Sequence, residues 1–212
     1  MPRTYPASRF EPAQKRVRAV RDGQTIVDTN NAMLVWEHPY YPRYFFPAAD
    51  VADQSHDTSG IGDIEGYVAL QWADLDAWFE EDEEVFVHPR SPYVRVDALR
   101  SSRTVRVEVD GQVVAESSSP VVLFETGLPA RYYLPALDVR RDLLTPTDLA
   151  TSCPYKGTAR YWSVGEHDNI VWSYPSPLPE SRPVQGLMCF YNEKVDMYLD
   201  GELVEKPVTP FS

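Results

Sequence analysis

Long apolar runs are missing from this 212-residue chain, as are most of the residue sets that announce a chemistry. No stretch of about 18 apolar residues occurs, so no membrane-crossing helix is expected. The opening residues, MPRTYPASRFEPAQKRVRAV, lack the apolar core of a secretory signal. Two cysteines, Cys153 and Cys189, are too few for a disulfide scaffold. The histidines, His38, His56, His88 and His167, fall into no metal-ligand spacing. There is no Gly-rich phosphate loop, no nucleophile elbow and no local Ser-His-Asp set, so neither a metal nor a cofactor is expected. Basic residues are scarce: 20 Lys and Arg stand against 32 Asp and Glu, a net charge of −12. Counterion release needs a gathered basic face, so nucleic acid and anionic membrane are not expected partners. These absences together point to a soluble, cytoplasmic protein with reduced thiols.

Hydrophobic residues make up 43% of the chain, enough to fill a core. Proline, at 19 residues against 10 glycines, favours short strands and rigid turns over long helices. The densest charge run, Glu80-Glu81-Asp82-Glu83-Glu84, reads as a solvated segment.

The chain repeats itself. DGQTIVDTNNAMLVWEHPYYPRYFFPAADV, from Asp22, returns without a gap as DGQVVAESSSPVVLFETGLPARYYLPALDV, from Asp110 (110 − 22 = 88). Further on, Gly66-Tyr-Val-Ala-Leu aligns with Gly186-Leu-Met-Cys-Phe and Asp76 with Asp196 (186 − 66 = 120). The first copy therefore lacks a segment that the second holds between 140 and 185. The spacing gives an N-terminal extension over 1–15, a shortened first repeat over 16–84, a connector over 85–102 and a complete second repeat over 103–212.

Val105-Arg106-Val107-Glu108-Val109 alternates as a half-buried strand does. Asp110-Gly111 then predicts a hairpin with positive φ at both turn positions, and Asp22-Gly23 predicts the same in the first copy. The extra segment reads as a loop, a strand over 159–164, a turn and a strand over 170–174. A sheet deprived of this hairpin has an edge that must pair or be covered, so the two copies are expected to pack as a pseudo-dimer.

Four stretches of the second copy resemble the family called domain of unknown function 427: Phe124-Glu-Thr-Gly-Leu-Pro-Ala-Arg-Tyr-Tyr133, Cys153-Pro-Tyr-Lys-Gly157, Tyr161-Trp162-Ser-Val164 and Trp172-Ser-Tyr-Pro175. The long form with a second, shortened copy looks like its actinobacterial tandem members. The resemblance implies a mostly β fold, two diverged repeats of a small antiparallel β-tent-like domain, and no established activity. A nucleotidyltransferase label is sometimes attached to the family; the Gly-Ser motif and paired-carboxylate strand that would support it are absent. Relatives with a tent-like fold often carry a four-cysteine zinc site, which two cysteines cannot supply.

Three constellations are candidates for chemistry. Cys153 lies three residues from Lys156, which can lower a thiol pKa; Lys156 itself can bind an anion or act as a nucleophile. The plain alternative is a Pro/Gly-punctuated turn with a gap-filling thiol. Glu125, with Arg131, Tyr132 and Tyr133, can converge on a polar ligand, Glu125 serving as general base. The alternative is a buried Glu–Arg pair capped by tyrosine hydroxyls in both copies. Tyr161, Trp162, Trp172 and Tyr174 can wall a small-molecule pocket or fill a core.

The leading expectation is a small-molecule-binding domain with its pocket in the second repeat or at the seam. Arg131, Tyr132, Tyr133, Lys156, Tyr161, Trp162 and Trp172 would line it. The rivals are an enzyme using Cys153 or Lys156 covalently or Glu125 as base, and a structural or protein-interaction module. Ligand identity and oligomeric state are left open.

Overall fold

A computed structural model describes residues 9–37, 40–52 and 65–212. The chain divides between Pro92 and Tyr93 into two compact units, inside the segment expected to be a connector. His38 and His56 lie outside the described residues.

The first unit contains β1 (Arg9–Pro12), β2 (Val17–Arg21), β3 (Gln24–Thr29), β4 (Met33–Trp36) and β5 (Arg43–Pro47). It continues with β6 (Tyr67–Ala69), β7 (Ala77–Glu80) and β8 (Glu83–Val85). These form two antiparallel sheets, ordered β1-β4-β5-β6 and β3-β2-β7-β8. The second unit contains β9 (Val96–Arg100), β10 (Val105–Val109), β11 (Gln112–Ser117), β12 (Val121–Glu125) and β13 (Arg131–Leu134). It then adds β14 (Leu144–Cys153), β15 (Gly157–Val164), β16 (His167–Ser173), β17 (Met188–Phe190), β18 (Asp196–Leu199) and β19 (Glu202–Leu203). One of its sheets runs β11-β10-β18-β19 and the other β14-β15-β16-β17-β13-β12-β9.

The protein is thus mostly β, with four antiparallel sheets in two related pairs among the described residues. Stripping β14, β15 and β16 from the large sheet leaves the order of the first unit's sheet. Matching side-chain details support the same unit in both copies. Thr29 Oγ1 donates to Asp50 at 2.6 Å, and Ser117 Oγ donates to Asp138 at 2.6 Å. Both Asp-Gly turns have positive φ, at 52° and 72° in the first copy and 51° and 76° in the second, as a type I′ turn demands.

The repeat also starts upstream of its expected boundaries. Arg9 pairs with Trp36 on β4, and Asp97 pairs with Phe124 on β12, at the same offset (97 − 9 = 88). Strand β9 therefore belongs to the second sheet. Alternation hides it, because its residues are only half-buried at the sheet edge. The later alignment slips by one residue. Val17 faces Glu80 on β7, whereas Val105 faces Leu199 on β18 (199 − 80 = 119). Asp196 accordingly matches Ala77, not Asp76.

The extra hairpin is present as β15 and β16, but the preceding stretch is a ten-residue strand rather than a loop. Its face is nearly all exposed, so no apolar period marks it. Pro146 sits where the pairing with β15 shifts register, a place where an edge strand tolerates proline.

Side chains from both sheets of each unit meet in a core. In the first unit Val17, Val27, Leu34, Phe46, Val68 and Trp78 do so; in the second, Val105, Val114, Leu134, Val171, Phe190 and Met197. The acidic run is not wholly solvated. Glu80 alternates inward at the end of β7 and is only 6% exposed. Its carboxylate accepts from Lys15 Nζ at 2.6 Å, Tyr44 Oη at 2.6 Å and the Arg90 amide at 3.0 Å. A buried carboxylate needs such partners.

Candidate functional site

Alternation along the large sheet sends successive side chains to opposite faces. Tyr132 and Trp162 point into the core between the two sheets. Tyr133, Tyr161, Trp172, Tyr174 and Cys189 point to the other face, with Val121, Leu123 and Ala159. A site on that second face therefore excludes Tyr132 and Trp162, although both were expected to line it.

The sheet curls around this aromatic face. Lys156, in the turn between β14 and β15, reaches Glu125 on β12, although β16, β17 and β13 stand between in the sheet. The two form an ion pair with side chains only 12% and 10% exposed. Backbone hydrogen bonds tie down the turn holding Lys156. The Lys156 amide donates to the Cys153 carbonyl at 3.3 Å, and the Leu178 amide donates to the Lys156 carbonyl at 3.1 Å. Gly157 follows with φ of +95°, where a Cβ would come 3.1 Å from the Ser176 carbonyl oxygen. Only glycine meets both demands without strain.

Arg131 lies on the same face but does not meet Glu125. Its guanidinium grips Glu193 through two hydrogen bonds of 2.6 and 2.7 Å and reaches Asn192 Oδ1 at 3.3 Å. It also stands 5.6 Å from the ring centroids of both Trp172 and Tyr191. In the first copy the equivalent residues, Glu37 and Arg43, pair with each other at 2.8 Å. The Glu–Arg pair expected in both copies thus exists only in the first. In the second, each residue has a partner of its own.

The aromatic groups are mutually braced. Trp172 Nε1 donates to Tyr133 Oη at 3.0 Å, with the rings edge to face at 88°. The hydroxyls of Thr151 and Tyr161 lie 2.7 Å apart. Burial pushes the Tyr133, Tyr174 and Tyr191 phenols well up, and pushes up the Cys189 thiol as well. These groups are neutral near pH 7; Lys156 and Arg131 are each paired with a carboxylate, and Lys194 Nζ lies 5.5 Å from the Tyr191 ring centroid.

Sequence reasoning singled out Arg131 but missed Glu193, Asn192 and Tyr191. The usable signal was physical: a buried arginine requires a carboxylate, and once Lys156 claims Glu125 another must serve. Cys153 is half-buried and Cys189 buried, both as free thiols. Among the described residues no group of three or more His, Cys, Asp and Glu could hold a metal ion, and no helix is long and apolar enough to cross a membrane.

The family model described as "Domain of unknown function (DUF427)" matches residues 9–60 and 97–201. The chain belongs to the DUF427 family. The two matched stretches begin on β1 and β9, the corresponding edge strands where the structural repeat begins. No curated protein matches the chain. Within this DUF427 protein the aromatic face of the second unit differs from its first-copy counterpart by specific substitutions. Tyr133, Leu123 and Cys189 stand where the first copy has Phe45, Val35 and Ala69. The phenol that accepts from Trp172 is therefore peculiar to the second copy.

Proposed function

We propose that the second unit binds a small, uncharged, polar molecule against the curled aromatic face of its large sheet. One observation carries this reading. The Lys156–Glu125 pair spans the curl close to Tyr174, a residue only 6% exposed whose hydroxyl makes no hydrogen bond to a described residue and is not closed off from the surface. Aromatic walls with a few fixed polar groups suit a small ligand. The chemistry of the face sets the ligand class. Within the face Lys156 and Arg131 are each matched by a carboxylate, which favours a neutral ligand; Lys194, 5.5 Å from the Tyr191 ring centroid, is exposed at its margin. The phenols are neutral and offer both donor and acceptor. Lys156, engaged by Glu125, is poorly placed as a free-amine nucleophile.

A thermal-shift screen tests the proposal, since a ligand that binds only the folded state raises Tm. Uncharged hydroxylated compounds are expected to raise Tm, and nucleotides and sugar phosphates are not. Tyr174→Phe should abolish the rise while leaving the unliganded Tm close to that of the parent. A rise confined to anionic compounds, or one indifferent to Tyr174→Phe, would sink it.

A further inference from the structure

After β19 the chain leaves the sheet. Val204 still donates its amide to Met197 at 2.8 Å, and Lys206 pairs with Asp196 at 2.9 Å. Pro207 and Pro210 then remove two amide donors, which keeps this stretch out of a β ladder. The segment instead folds on itself. Thr209 and Ser212 exchange hydrogen bonds of 3.0 and 3.1 Å, and the Phe211 amide donates to Thr209 Oγ1 at 3.0 Å.

Two side chains of this self-contained turn reach the loop that follows β17. Thr209 Oγ1 donates to Glu193 Oε1 at 2.6 Å. The Phe211 ring lies 6.1 Å from that of Tyr191, tilted by 41°. Tyr191 in turn packs on Trp172 at 4.6 Å. The segment therefore rests on the residues that hold Arg131. Little else fixes it: Val208 is 94% exposed and Phe211 44%. Lifting it would leave the Arg131–Glu193 pair intact, because both guanidinium hydrogen bonds are made without Thr209. The contact is thus separable from the fold beneath it.

We propose that residues 207–212 form a strap that shields the Arg131–Tyr191 side of the aromatic face and opens it when Thr209 and Phe211 let go. As a gate for a ligand the strap rests on the binding reading above; as a cover for Tyr191 it does not. The probe is therefore a small neutral tyrosine reagent, N-acetylimidazole, with the modified sites read by mass spectrometry on the full chain. In Thr209→Val/Phe211→Ala, Tyr191 is expected to acetylate several-fold faster than in the parent, with Tyr174 unchanged. A chain stopped after Lys206 should reproduce the effect, and unchanged circular dichroism should show both variants folded. Equal rates at Tyr191 in parent and variants, or an equal rise at Tyr174, overturn the strap. A metabolite screen without a hit, alongside faster Tyr191 acetylation, would end the binding reading and leave the strap standing.

Discussion

Arg131 shows what a buried charge requires. Its guanidinium is shut away from water, and so is the Glu193 side chain that meets it. Two parallel hydrogen bonds, flanking aromatic rings and Asn192 stand in for solvent. Removing one partner strands the other, a loss of about 3–5 kcal/mol. Arg131→Ala is expected to lower unfolding free energy by that amount in urea melts, whereas Arg131→Met with Glu193→Leu should lose much less. Glu193 also links stability to pH. Burial works to raise its carboxyl, but the hydrogen bonds from Arg131 and Thr209 prevail and hold it below the ordinary value of 4.5. A carboxyl depressed in the folded state stabilises above its unfolded pKa, and that contribution drains away as pH falls through the folded value. Glu193→Gln should therefore flatten the acid limb of the stability profile below about pH 4.5, as measured by denaturant midpoints across pH.

At the scale of elements, the β14–β15 hairpin depends on one backbone position. Gly157→Ala must place a Cβ against the Ser176 carbonyl oxygen at a positive φ, at a cost of about 1–3 kcal/mol. Gly23→Ala, also at positive φ but in open space, should cost less. Paired thermal melts of the two variants check that order. The elements that sequence made legible were those with a period or a turn signal: the Asp-Gly hairpins, the alternating strand β10 and the inserted hairpin of β15 and β16. Strands β1, β9 and β14 were not legible because each lies at a sheet edge, where no residue is fully buried and no apolar alternation marks the strand. The candidate site was partly legible for the same reason. Alternation along β15 sets Tyr161 and Trp162 on opposite faces, so one pocket lining could not hold both, and only the curl of the sheet brings Lys156 to Glu125. That contact depends on strand order, which no local pattern encodes.

At the scale of the whole molecule, two units of common plan have separate cores and have diverged in different ways. The first keeps a short sheet and places a carboxylate, Glu80, where the second has Leu199. The second adds three strands and a phenol-bearing face. The exchange of partners at the shared Glu and Arg positions also changes how mutations combine. Glu37 and Arg43 depend on each other, so a loss at one alters what a change at the other costs. Glu125 and Arg131 answer to Lys156 and Glu193 instead, which makes them independent loci. Double-mutant cycles should give a coupling of about 0.5–3 kcal/mol between Glu37 and Arg43, and almost none between Glu125 and Arg131. The two copies thus carry different epistasis at one pair of positions: in the first, the Glu and Arg constrain each other, and in the second each is constrained by its own counterpart, Lys156 or Glu193.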